Sequence, residues 1–156
     1  MAVFAATLLG AAMAIVLSGP LLPDPMASRF GPSGAVEGWS SRSAYLAAMI
    51  LGTIALPVVS VALLAARIGR PKIPHPEVWL AAPRRIETLT YFATHALRLG
   101  CMLTLFLAFV HALAIDANRH QPPHLPMPSL VAGGLLFGIA LIAWRLALRR
   151  RFRTLP

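Results

Sequence analysis

A bundle of four transmembrane helices, all-α and integral to a membrane, is the fold class this sequence predicts, and three observations predict it. Of 156 residues 58% are hydrophobic and 12% charged, too little polar surface to cover a soluble globule. The apolar residues fall in four blocks, each near the roughly 20 residues that cross a hydrocarbon core about 30 Å thick. Lys and Arg gather at the block ends, mostly on one side.

Taken in order, residues 2–22 carry no charged side chain and suit a helix in lipid, where each backbone polar group must be satisfied internally. This block lacks the basic n-region of a signal peptide and three more blocks follow it, so it is predicted to be retained as a span. The second span, 44–66, contains Pro57, whose missing amide donor predicts a bend. Before the third span, 93–115, Pro83 stands at a first helical turn. Arg84, Arg85 and Glu87 then alternate with Ile86, Leu89 and Phe92, which predicts a short cytoplasmic interfacial helix running into that span. The fourth span covers 129–148. Arg98 and Arg145 are expected to snorkel to an interface that Trp79 and Trp144 also mark. No internal repeat or flexible linker divides the chain, so 1–156 is predicted to be a single membrane domain.

Orientation follows from the basic residues, which resist translocation. Arg67, Arg70, Lys72, Arg84 and Arg85 lie between spans two and three, and Arg145, Arg149, Arg150, Arg151 and Arg153 at the C-terminal end. The other side has only Arg29, Arg42 and Arg119. Both termini are therefore expected in the cytoplasm of a bacterial-type inner membrane, with loops 19–43 and 116–128 facing outward. The formal charge of +9 sits beside apolar spans, not in an independent basic domain, so the expected partner is the anionic cytoplasmic leaflet and not nucleic acid.

Helices in lipid associate through close packing of small residues. Span one offers Ala6, Gly10, Ala14 and Ser18 at four-residue intervals, span three Gly100, Thr104, Ala108 and Ala112, and span four Gly134 and Gly138 beside Gly133. These ridges are expected to seat neighbouring helices of this chain, or a membrane-protein partner or second copy. Cys101 lies inside a span and is read as a packing residue.

The segment from Leu21 to Arg42 is the least generic stretch. Its glycines and prolines argue against a helix, and Phe30 and Trp39 favour an interface, so it is expected to lie folded on the outer membrane surface. Leu22, Pro23 and Asp24, then Phe30, Gly31 and Gly34, then Gly38, Trp39, Ser41 and Arg42 carry a likeness. A second motif runs from Val78 to Thr88 through Trp79, Pro83, Arg84, Arg85 and Glu87, and Ala117-Asn118 with Pro122-Pro123 complete the pattern. On these residues the chain resembles the bacterial integral-membrane domain of unknown function that forms the N-terminal part of SdpI-type immunity proteins. The resemblance implies a multi-pass inner-membrane protein and favours protection against a membrane-active toxin, or signalling of its presence. Relatives often carry His where this chain has Arg29, and Asp where it has Glu37, which sets this member apart from any act needing that histidine. The further C-terminal domain of full SdpI proteins is not recognisable.

Chemistry-bearing constellations are sparse. Asp116, His120 and His124 recur at four-residue spacing, but Pro122 and Pro123 break the helical face that would align them as metal ligands. His95 and His111 share one helix roughly 24 Å apart, too far to ligate one haem, and are read as an interfacial group near Arg98 and a hydrogen-bonded group near the outer interface. Asp24 and Glu37 are expected to be solvated or paired with Arg29 and Arg42. The span centres hold little beyond Thr53, Pro57, Ser60 and Thr104, thin material for a carrier. No phosphate loop, zinc-protease helix or nucleophile elbow is present in the sequence. The expected function is therefore non-catalytic, without cofactor or metal: lateral protein contact as an immunity-like or sensor protein or as an accessory subunit. A small oligomeric transporter or channel is the alternative.

Overall fold

The computed structural model describes residues 1–67 and 74–153. Arg70 and Lys72, counted above for orientation, lie outside them. Helix α1 (Ala2–Leu17) ends in a short 3₁₀ turn (Gly19–Leu21) and leads into strands β1 (Met26–Phe30) and β2 (Val36–Ser40). Helix α2 (Arg42–Ala65), a single turn α3 (Pro76–Trp79), and the long helices α4 (Ala82–Arg119) and α5 (Met127–Arg153) follow. Three of these, α2, α4 and α5, are long and apolar enough to cross a membrane.

α1 is shorter than its predicted span. At 16 residues it extends about 24 Å and stops at Leu17, because Gly19 and Pro20 turn the chain. It nevertheless runs alongside most of the apolar part of α4. Near its start Phe4 lies against Gly100, and just past its end Ser18 meets His111.

α4 is the axis of the bundle and packs on α1, α2 and α5. It is one continuous helix of 38 residues, about 57 Å, so the segment read as a surface helix forms its first turns without a break. Gly100 lets α1 and α2 approach α4: a Cβ there would meet Phe4 at 2.5 Å and Val61 at 2.8 Å. Thr104, one turn on, is fully buried and donates its hydroxyl to the Gly100 carbonyl. α2 stays helical through Pro57, which is buried together with Thr53.

The all-α expectation needs correction between residues 26 and 40. Where a loop lying on the membrane surface was expected, the chain forms an antiparallel hairpin that packs on α4. Met26 pairs with Ser40, Ala27 with Trp39, Arg29 with Gly38 and Phe30 with Val36, with irregularities on both sides of Arg29. The prolines flank the strands and do not interrupt them, and the glycines serve the turn and the close approaches of the hairpin.

An aromatic cluster closes the opposite end of the bundle. Trp79, read as an interface marker, is buried against Phe152 in an edge-on contact 5.2 Å between ring centres. Phe152 also stacks on Phe92 and meets Tyr91 edge-on. Arg84 and Arg151 sit over the Trp79 ring at 5.8 and 5.4 Å, Arg151 pairs with Glu87, and Thr88 donates to the Trp79 carbonyl. α5 thus continues past its predicted end at 148, because Phe152 has an aromatic pocket to fill and Arg151 a carboxylate to meet.

Candidate functional site: a clamped cap over a buried polar relay

At the hairpin end, two segments far apart in sequence build one cap. Asn118, in the last turn of α4, uses its amide as a backbone mimic. Its Oδ1 accepts from Ala27 N–H at 2.8 Å, and its Nδ2 donates to Ala27 C=O at 2.9 Å and to Ala114 C=O at 2.8 Å. The open edge of β1 is thereby closed by one side chain, and Ala27 is fully buried. The loop between α4 and α5 joins from the other side: Leu125 N–H donates to Gly34 C=O at 2.9 Å, and His124 N–H to Ala117 C=O at 3.1 Å.

Most of the motif between Leu22 and Arg42 serves this cap. Asp24 Oδ1 accepts from the backbone amide of Arg42 at 3.1 Å, near the start of α2, where Ser41 caps the amide of Ala44. The Arg42 guanidinium reaches back to the carbonyl of buried Leu22 at 3.3 Å. Both ends of the hairpin are therefore tied together. Of the two alternatives for Asp24 and Glu37, solvation or pairing with Arg29 and Arg42, the structure has the first: both are exposed, no such ion pair forms among the described residues, and Asp24 serves a backbone donor. The Arg29 guanidinium lies across Gly38 and the Glu37 carboxylate folds over Gly31, both the movable ends of exposed side chains. Pro23, Arg29 and Glu37 are exposed and Phe30 is half-buried. Trp39 stands out at 56% exposure.

Gly34 is the position where backbone conformation matters most. Its φ is +86°, and a Cβ would lie 2.5 Å from the Leu125 carbonyl oxygen it sits beside. Gly34→Ala is expected to lower stability by about 1–2 kcal/mol through the left-handed conformation alone, and to loosen the second loop. Thermal unfolding in detergent, with proteolysis between 120 and 126 as a local readout, checks this. An unchanged midpoint and cleavage pattern would show that the two loops are not coupled.

Beneath the cap lies a relay of three polar side chains from three helix ends. His111 Nε2 is 2.7 Å from Ser18 Oγ, and His111 Nδ1 is 3.1 Å from the Tyr45 hydroxyl, with the Tyr45 and His111 rings stacked 5.7 Å apart. With the Ser18 hydroxyl donating to the Ile15 carbonyl at 2.8 Å, its oxygen is free to accept from His111, an arrangement that suits the tautomer with its hydrogen on Nε2. Nδ1 is then the acceptor for the Tyr45 hydroxyl. Together the Ser18–His111 and Tyr45–His111 contacts tie α1, α2 and α4 to one another.

The remaining predicted positions are dispersed. Asp116 and His120 face each other at 3.7 Å where α4 ends, whereas His124 belongs to the loop paired with the hairpin. No group of three potential ligands is assembled among the described residues. His95, read as an interfacial group near Arg98, is enclosed by aromatic side chains. It is 3% exposed, stacked on Trp144 at 4.3 Å and on Tyr91 at 5.6 Å, and its own carbonyl accepts from the Trp144 indole N–H at 2.9 Å. Of the inner motif, Trp79, Arg84 and Glu87 join the aromatic cluster, Pro83 stands in the first turn of α4, and Arg85 is exposed. The ridges divide. Gly100 packs inside the chain and Gly133 against Phe109, while Gly10, Gly134 and Gly138 face open space.

Asn118 was visible only as part of a motif and Ser18 only as the end of a ridge. A polar residue at each end of an apolar block was the available signal for the relay. No family model, curated protein or solved structure matches the chain.

Proposed function

We propose that this chain is a non-catalytic, four-span protein of a bacterial inner membrane that acts by lateral protein contact, as an SdpI-like immunity or sensor protein or as an accessory subunit. In this reading the cap faces outward, both termini are cytoplasmic, and α1 completes the fourth crossing. The observation that carries it is the state of α5. That helix packs chiefly on α4, no residue of its most apolar window is buried, and Gly134 and Gly138 have nothing before them within 4 Å. Small residues on an open helix face let a neighbouring backbone come close. The buried hydroxyls and imidazole of the relay are used up in bonds to one another, which favours contact over transport or catalysis within a single chain.

Two experiments test this. Solubilisation in mild detergent is expected to recover the chain with a second membrane protein or a second copy, and Gly134→Leu with Gly138→Leu to release it. Recovery of a single unpartnered chain in both cases refutes lateral contact. Cells lacking the gene are expected to become more sensitive to membrane-active peptides, and unchanged survival removes the immunity role in favour of the accessory one. Solute flux in reconstituted vesicles would instead favour an oligomeric channel.

A further inference from the structure

α1 and α5 both pack on α4 and leave a lateral groove of about 740 Å³ between them, within the size range of sites for small molecules. Phe4 forms one wall, Met102 the floor, and Ala140, Ala143 and Trp144 the other wall. The alanines are what keep it open. Arg98 is the charged side chain on its lining.

The level of Arg98 follows from helix geometry. From Leu99 to Ile115, α4 carries no charge over about 26 Å, and α5 carries none from Met127 to Trp144 over about 27 Å, each close to a hydrocarbon thickness. The bond from Trp144 to the His95 carbonyl brings the arginine-side ends of these two stretches to one height. Arg98 therefore stands where hydrocarbon meets headgroups. No carboxylate lies within ion-pair distance of it among the described residues. A guanidinium at that depth needs a counter-anion, and its planar fork matches a phosphate.

We propose that the groove between α1, α4 and α5 is a binding site for a single anionic phospholipid, its phosphate on the Arg98 guanidinium and an acyl chain laid along Phe4, Met102, Ala140 and Ala143. The stacked pair of His95 and Trp144 forms the wall at the level of Arg98, so that the lipid would meet a shaped concavity in place of a flat annular surface. This rests on the bilayer placement and not on the immunity or accessory role.

The test is native mass spectrometry of the full chain in mild detergent, with phosphatidylglycerol or phosphatidylcholine of the same acyl chains added. One phosphatidylglycerol per chain is expected to survive removal of detergent, and phosphatidylcholine to be retained far less. Arg98→Gln is expected to weaken retention about fivefold, the factor corresponding to ~1 kcal/mol per basic residue at a leaflet surface. Ala143→Leu, which fills the groove and leaves every charge, is expected to weaken it too, whereas Arg119→Gln at the far end of α4 leaves it unchanged. Equal retention of the two lipids overturns the proposal. So does indifference to both groove variants, or a second copy of the chain found in the groove with no lipid.

Discussion

Asn118→Ala is expected to lower stability by about 3 kcal/mol, the largest effect of any single change at the cap. The substitution removes three hydrogen bonds and strands both polar groups of Ala27, a residue with no access to solvent. Leaving a buried donor or acceptor unpaired costs roughly 1–3 kcal/mol, so the two groups of Ala27 dominate the effect. Asn118→Asp separates the contributions: it keeps the acceptor for Ala27 N–H but sets a carboxylate oxygen against Ala27 C=O, and so is expected to rescue nothing. Circular dichroism during thermal unfolding in detergent gives the magnitude, and hydrogen exchange at Ala27 gives the location. If Ala27 remains protected in Asn118→Ala, the hairpin is held by its own strand pairing and the clamp is incidental.

His111→Leu is expected to cost about 2 kcal/mol. It is close in volume and apolar, so its effect comes from two lost bonds in a low-dielectric setting, each near 1 kcal/mol in membrane proteins. Ser18→Ala costs less alone, since Tyr45 keeps its partner. The double change is expected to be less destabilising than the sum, because each removes the same contact between Ser18 and His111. Full additivity would mean the 2.7 Å contact contributes nothing. The proton arrangement makes a further statement: a serine-directed acylating or phosphonylating probe is expected to leave Ser18 unmodified, and labelling that disappears in His111→Leu would overturn the structural role of the relay.

The hairpin shows how a motif is legible without its geometry being so. Gly34 is evident as a glycine in a distinctive stretch, yet its left-handed backbone and its approach to the Leu125 carbonyl, from a loop about ninety residues on, are not. Charge alone left Asp24 either solvated or paired with an arginine side chain; it is exposed, and its one bond is to the backbone amide of Arg42, a donor that charge counting does not register. Trp79 fits an interface by its chemistry alone. Only the arrival of Phe152 from the end of α5 buries it.

What this sequence determined by itself is where helices suited to lipid run, because an apolar helix satisfies its backbone locally and needs only an uncharged stretch of adequate length. The limits 44–66 and 42–65, predicted and observed, agree for that reason. What only the tertiary structure decided is the cap, the relay and the groove. Each depends on residues from separate elements, Ala27 with Asn118, Ser18 with His111, Arg98 and Ala143 lining one groove, whose meeting is set by how α1 and α5 lean on α4. Local propensity and charge counts carry no record of that leaning, since it follows from the shapes of the packed side chains.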